Sequence, residues 1–173
     1  MRSDPAGADI RSPGARGSSS GEAEVCLIVD EQRRLWISLT SDHTDRELES
    51  YSVAFSKQLC IKPLAHQAWR YEDVAGHWDQ LILRSETEEN GQQVEYQQGT
   101  LAELLDIPTL LARLPADLQD EQGILPGTAL LCGTVPAIGG IRPSGSFSMS
   151  LVDPVLGCTL SHHYQTRSLP VVK

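Results

Sequence analysis

Apolar residues fall along this chain in short runs more often than at helical spacing. Residues 25–29 form one run and residues 35–39 a second, with the charged stretch Glu31-Gln32-Arg33-Arg34 between them. Short apolar runs bounded by polar turns read as strands, so residues 24–30 and 35–40 are expected to pair as a β-hairpin. Thr44 follows, with Glu47 three positions on. This is the form of a capping box, and it opens a helix expected to reach about Gln58, with Leu48, Tyr51, Val53 and Phe55 turned inward. Residues 59–79 read as irregular or weakly helical. Residues 81–84 read as a strand and residues 92–97 as its partner, joined at Asn90-Gly91, a pair that accepts the positive φ a tight hairpin turn requires. Thr100 with Glu103 caps a short helix, and Pro108 opens another expected to end near Pro115. A strand over residues 128–132 runs into a glycine-rich loop, residues 133–140, and residues 146–152 and 158–169 read as two further strands. The strands are not separated by regular crossover helices. The expected class is therefore α+β: a large mixed, mostly antiparallel β-roll or sandwich with a few short helices. Residues 1–20, rich in Gly, Ser, Pro and Ala, are expected to be a disordered lead, and residues 21–173 one folded domain.

Composition narrows the function classes. The chain has 173 residues, 40% of them hydrophobic and 21% charged, enough for one core of ordinary size. Its net charge is -9. No basic stripe is present to meet phosphates, so a nucleic-acid surface is not expected. A small anionic substrate remains compatible, because a metal ion and one or two local cations can hold it. No apolar run approaches the length of a membrane span, so no membrane partner is expected. The N-terminus lacks an apolar signal core; Arg2, Arg11 and Arg16 among serines resemble a transit peptide, a reading that Asp4 and Asp9 oppose. Cys26, Cys60, Cys132 and Cys158 include no C-x-x-C pair and read as thiols of a reducing, cytoplasmic compartment.

The candidate chemistry lies in three carboxylates. Glu22 and Glu24 stand two apart at the start of the first strand, so they project to one face, and the hairpin can bring Asp42 back beside them. Three oxygen ligands with room left for water and substrate suit Mg²⁺, with Mn²⁺ or Ca²⁺ as alternatives. From spacing alone Glu22 and Glu24 read first as solvated residues at a strand start, since E-x-E pairs are common. Likewise Lys57 reads as a solvated residue at a helix end, Arg46 and Glu49 as exposed helix residues, and Gly133-Thr134 as a strand-ending turn. His162 and His163 are strand neighbours that face opposite ways, and His66 and His77 read as structural histidines.

Taken in order, these pieces resemble the C-terminal catalytic domain of the fumarylacetoacetate hydrolase superfamily, and more narrowly a branch described only as a domain of unknown function. The E-x-E pair is Glu22 and Glu24; Asp42 with Arg46 four residues on matches the second signature; Ser56-Lys57 with Pro63 close behind matches the third. Asn90-Gly91 with Gln97 or Gln98 is similar to the family's N-G-x-x-x-Q hairpin, and Pro126-Gly127 through Gly133-Thr134 to its P-G…G-T segment. The resemblance covers residues 21–170 and implies roles. Glu22, Glu24 and Asp42 hold one divalent ion, a Lewis acid toward a keto or enol oxygen. Lys57 and Arg46 supply positive charge for a substrate carboxylate or developing enolate, and Gly133 and Thr134 bind a second carboxylate. The implied reactions on small carboxylic acids are C–C hydrolysis, decarboxylation, hydration or isomerisation, and a homodimer is implied as well. The family usually places a water-activating His–Glu pair upstream of the E-x-E strand. Only 21 residues precede Glu22 and none is His, so that lid segment is expected to be missing. Glu49 stands where the family often has a substrate-binding Gln, and His43 replaces an aromatic, which makes His43 a candidate substitute base. Two further readings remain: a divergent homologue that binds metal or acid without turnover, and a non-enzymatic interaction protein.

Overall fold

In the computed structural model, which describes residues 8–10, 18–143 and 145–167, the apolar runs become strands. The chain opens with β1 (Ala8–Ile10) and β2 (Ser19–Ser20), then forms the expected hairpin from β3 (Ala23–Val29) and β4 (Leu35–Ser41). A short β5 (Thr44–Asp45) leads to the helices α1 (Arg46–Glu49) and α2 (Val53–Gln58). After β6 (Trp69–Arg70) and α3 (Tyr71–Val74) come the long strands β7 (Ile82–Glu89) and β8 (Gln92–Thr100). Then follow α4 (Ile107–Leu111), β9 (Gln119–Asp120), β10 (Gly123–Ile124) and β11 (Ala129–Leu131). The last two strands are β12 (Ser146–Asp153) and β13 (Cys158–Thr166).

Two sheets carry the core. One has the order β1-β13-β12-β7-β8, antiparallel except where β1 lies parallel to β13; the other has the order β11-β3-β4-β6 and is antiparallel throughout. The expected α+β class, with mostly antiparallel sheets and short helices, is what forms. Burial alternates along β12, where Phe147, Met149 and Leu151 turn inward and Ser148, Ser150 and Val152 outward. The central strand β3, flanked by β11 and β4, is buried almost throughout, which is why its sequence is a continuous apolar run. Val25, Leu27 and Leu39 of one sheet pack with Leu83, Leu151 and Leu160 of the other in a single hydrophobic cluster. No helix among the described residues is long and apolar enough to cross a membrane.

Local features follow their residue chemistry. Asn90 and Gly91 both have positive φ (52° and 78°) at the β7–β8 turn, as that turn requires. Thr100 and Glu103 form the expected capping box around the 3₁₀ turn Leu101–Glu103. Cys26, Cys60, Cys132 and Cys158 are free thiols, the first three buried.

Other expectations are corrected. The helix drawn from Thr44 to Gln58 is two helices broken at residues 50–52. Thr44 is not its cap: it pairs with Ser20 in a strand, and Asp45 caps α1 by accepting from the amides of Glu47 and Leu48. A carboxylate at this position accepts two amides and favours the helix dipole, while β-branched Thr suits the strand. Ser52 then caps a new helix, so the helical phase restarts, and Ser56, not Val53 or Phe55, turns inward. Tyr51, Val53 and Phe55 are exposed and Leu48 is half-buried. Helix α4 stops at Leu111, short of Pro115. Within the lead expected to be disordered, β1 and β2 are strands; residues 1–7 and 11–17, with Arg2, Arg11 and Arg16, lie outside the described residues.

One buried side chain ties the two sheets at the start of β3. Gln97 Oε1 accepts from the Ala23 amide (2.9 Å) and the Ser85 hydroxyl (2.7 Å), while its Nε2 donates to Thr134 Oγ1 (2.6 Å) and the Val135 carbonyl (2.7 Å). Gln97→Leu strands these partners without water. It is expected to lower unfolding stability by about 3 kcal/mol, measured by urea titration; a loss below about 1 kcal/mol would show that the partners re-pair elsewhere.

Candidate metal centre

The hairpin register sets the site. Ala23 pairs with Ser41 and Glu24 with Thr40, and one step beyond the strands the Asp42 amide donates to the Glu22 carbonyl (2.9 Å). Asp42 therefore lies directly across from Glu22. One carboxylate oxygen each from Glu22, Glu24 and Asp42 falls within 4.8 Å of the others. Glu24 and Asp42 are buried and Glu22 is half-buried. The three residues named from spacing as one cluster are thus brought together.

Three cations line one side. Lys57 Nζ donates to Glu22 Oε2 (3.0 Å) and to Asp42 Oδ2 (2.5 Å). Lys62 Nζ lies 2.6 Å from Asp42 Oδ1 and donates to the His43 carbonyl. Arg46 places Nη2 3.2 Å from Glu22 Oε1, while Nη1 donates to Glu49 Oε2 (2.9 Å) and Nε to Ser20 Oγ (2.7 Å). Lys62 was missed by sequence reasoning. It joins the site only because the Ser41 amide donates to the Pro63 carbonyl and folds that loop back; the one signal for it is a second lysine in a stretch free of acids, residues 51–70.

Glu24 differs from its two companions. Among the described residues no lysine or arginine lies within ion-pair distance of it, although Lys57 acts on it from farther off, and its Oε2 accepts the Gly133 amide (3.0 Å). Burial, with Asp42 nearby, raises its pKa to about 7 against the restraining Gly133 amide. Asp42 shows the opposite balance: burial acts to raise its pKa, but hydrogen bonds from Lys57 and Lys62 outweigh burial and hold it low. Burial likewise opposes the charge on Lys57, yet Asp42 and Glu22 keep its pKa above the ordinary value.

The remaining expected site residues take supporting places. Gly133, at φ 97°, turns its amide to Glu24, and the Thr134 hydroxyl donates to the Ala23 carbonyl (2.6 Å). Both groups hold β3 and Glu24 in this geometry, where a substrate carboxylate had been expected. Arg46 and Glu49 likewise pair with each other. His43, the candidate substitute base, lies inside the fold. Its ring is buried, Nδ1 shares a hydrogen bond with the Tyr164 hydroxyl (2.9 Å), and burial together with Lys62 and Arg46 pushes its pKa down to about 4. Tyr164, unmarked in the sequence, also meets Ser41 Oγ (2.8 Å), which accepts from the Glu22 amide (3.3 Å). Its hydroxyl touches residues on both sides of Asp42, and it lies so near Gly21 that a Cβ there would fall 2.6 Å from it. Away from the site, His162 stacks edge-on with His66 while His163 bonds Ser148, so the neighbours do face opposite ways; His77 pairs with buried Asp153.

A family model described as "Protein of unknown function (DUF2848)" matches residues 11–164. The chain belongs to the DUF2848 family. No curated protein matches this DUF2848 chain by sequence. Among solved structures, Cg1458 is similar with a TM-score of 0.66 at 13% identity, over 94% of this chain and 64% of that one. A 2-keto-3-deoxyarabinonate dehydratase gives a TM-score of 0.66 at 17% identity, over 94% and 56%. The same dehydratase complexed with magnesium and 2,5-dioxopentanoate gives 0.64 at 16%, over 94% and 58%. Both proteins are members of the fumarylacetoacetate hydrolase superfamily, so the resemblance read from the motifs holds at the level of the fold. The DUF2848 chain spans less than two thirds of the length of these structures.

The donor set fits a hard divalent cation: oxygen only, three carboxylates, one of them with no ion pair among the described residues. Glu24 also makes the metal-free fold sensitive to pH. Its folded pKa, about 7, lies above its ordinary 4.5, so its contribution to stability is complete below pH 4.5 and is lost as pH rises to about 7. Glu24→Gln keeps the shape and removes that loss. In metal-free buffer at pH 8 the variant is expected to be more stable than the parent by roughly 2–3 kcal/mol, and at pH 4 about equal, as read from urea unfolding at both pH values.

Proposed function

We propose that this chain is a divalent-metal-dependent enzyme acting on small keto or unsaturated carboxylic acids. The observation that carries the reading is the convergence of one carboxylate oxygen each from Glu22, Glu24 and Asp42 within 4.8 Å, two of the residues buried and one half-buried. Like charges this close are held together at a cost that a dication removes. Mg²⁺ is the favoured ion, with Mn²⁺ or Ca²⁺ accepted by the same donors. When bound, the ion supplies Lewis-acid polarisation of a substrate keto oxygen. Lys57 and Lys62 keep positive charge at the cluster's edge, where a substrate carboxylate or developing enolate gains from it. Gly133 and Thr134 orient Glu24 and the start of β3, and Arg46 fixes Glu22. The fold shared with a dehydratase seen with magnesium and 2,5-dioxopentanoate supports a short 2-keto acid and a lyase-type reaction.

A second reading has its own support. Lys57 and Lys62 already contact Asp42, and Lys57 also contacts Glu22, so ammonium groups can neutralise two of the carboxylates without a metal. In that case the chain keeps the fold and binds acids without turnover.

Calorimetric titration with Mg²⁺ and Mn²⁺ at pH 8 separates the two. The enzyme reading expects one site per chain, with affinity reduced at least about 100-fold in Glu24→Ala and in Asp42→Ala. Affinity in all three chains alike, or none in the parent, removes it. Affinity of the parent is also expected to fall as pH drops below about 7, because the proton on Glu24 then competes with the ion. Turnover is read by product analysis on a panel of short 2-keto and unsaturated acids with metal present; metal and acid binding with no product on any of them favours the second reading.

A further inference from the structure

Three arginines line one small cavity at the turn end of the β3–β4 hairpin. Its walls are Arg33, Arg34, Leu35, Arg70, Tyr71 and Glu72, and its volume is about 240 Å³. Both strands of the hairpin are seven residues long. At about 3.3 Å per residue the cavity therefore lies roughly 20 Å from Glu22 and Asp42, which sit at the other end.

The guanidinium groups are held in place but not used up. Trp36 stands two residues after Arg34 and pairs with Arg70 of β6, so the three side chains leave one face of the sheet. The guanidinium carbons of Arg34 and Arg70 lie 5.6 and 5.3 Å from the centre of the Trp36 ring, contacts that orient both. Arg33 donates to the Ile124 carbonyl (2.9 Å) and to Asp120 (2.7 Å), and Arg34 to Asp30 (2.6 Å) and Gln32 (2.9 Å). Among the described residues Arg70 donates to Glu72 (2.6 Å) and to no other side chain. A guanidinium carries five N–H donors, so each arginine keeps some for a ligand. The one acid in the wall, Glu72, has a side chain 69% exposed. Such a surface ion pair is worth little, and an anion with more oxygens displaces it.

Size and charge select the occupant. Pockets for drug-sized ligands run to roughly 300–1,000 Å³, so this cavity takes something smaller. Three guanidinium groups call for several acceptor oxygens and more than one negative charge. A phosphate group has three acceptor oxygens and nearly two charges at neutral pH, whereas a carboxylate has two oxygens and one charge. A phospholipid surface is disfavoured, because the net charge of -9 repels it.

We propose that the cavity walled by Arg33, Arg34 and Arg70 binds a soluble phosphate group, as inorganic phosphate or a short phosphomonoester. The bound anion ties the β3–β4 turn to β6 and the start of α3. The assignment does not rest on the metal reading.

Calorimetric titration with inorganic phosphate and with glycerol 3-phosphate tests it, in metal-free buffer at constant ionic strength. The parent is expected to bind one phosphate per chain with a dissociation constant at or below roughly 1 mM. Arg34→Gln and Arg70→Gln are each expected to weaken binding at least about 10-fold, with circular dichroism unchanged. Glu72→Gln removes the competing carboxylate and is expected to tighten binding about 3-fold. Arg84→Gln, at an exposed position outside the cavity, is expected to bind as the parent does. Absence of saturable binding in the parent overturns the proposal, as does affinity unchanged in both Arg34→Gln and Arg70→Gln. Affinity that survives both of these and is lost in Lys62→Gln places the anion at the carboxylate cluster and overturns it too. Binding to vesicles containing phosphatidate, with none to either soluble phosphate, overturns it in favour of a lipid headgroup.

Discussion

Mutual repulsion among Glu22, Glu24 and Asp42 is the constraint around which this end of the molecule is arranged. Three carboxylates within 4.8 Å do not stay together unless the backbone leaves them no other place. The β3–β4 register provides that, since the Asp42 amide continues the ladder by bonding the Glu22 carbonyl. Cations then relieve part of the charge, and they do so unevenly. Glu22 and Asp42 pair with Lys57, Lys62 and Arg46, whereas Glu24, among the described residues, accepts a backbone amide and feels Lys57 only from a distance. The uneven pairing accounts for opposite pKa shifts on two neighbouring carboxylates, Glu24 up and Asp42 down.

The second sheet holds this arrangement from behind. Tyr164 on β13 meets Ser41 and His43, the residues on either side of Asp42, and packs against Gly21, next to Glu22. Gln97 on β8 fixes the amide of Ala23, between Glu22 and Glu24, and also reaches Thr134. Both side chains are almost fully buried in the core shared by the two sheets. A change in the packing of that core would therefore be felt as a change in spacing among the carboxylates, because close-packed interiors transmit strain. The fold and the site are coupled through two hydrogen-bonding side chains and not only through the strand that carries the acids.

Much of this was legible in the sequence, for identifiable reasons. The apolar run at residues 25–29 and its partner at 35–39 gave the hairpin, and the hairpin brought Asp42 to Glu22 and Glu24, because register follows from alternation and turn position. Asn90-Gly91 was readable because few residues accept two positive φ angles in succession. The helix over residues 44–58 was misread because a pattern of apolar positions does not reveal where the phase restarts. Ser52 starts a new helix, and with it Phe55 moves from the expected core to the surface. Lys62 and Tyr164 were invisible for a different reason. Each reaches the site through a contact between segments distant in sequence, 20 residues from Asp42 to Lys62 and 123 from Ser41 to Tyr164, and no local spacing encodes it. The direction of the His43 ring was not legible either: the backbone turn after Asp42 sends it to Tyr164.

Diffraction from crystals soaked in Mn²⁺ at pH 8, recorded for its anomalous signal, tests the central claim most directly. The account predicts one strong peak within coordination distance of oxygens from Glu22, Glu24 and Asp42, with the Lys57 ammonium displaced from between Glu22 and Asp42. No peak at that position, with Lys57 still bonded to both carboxylates, would contradict it.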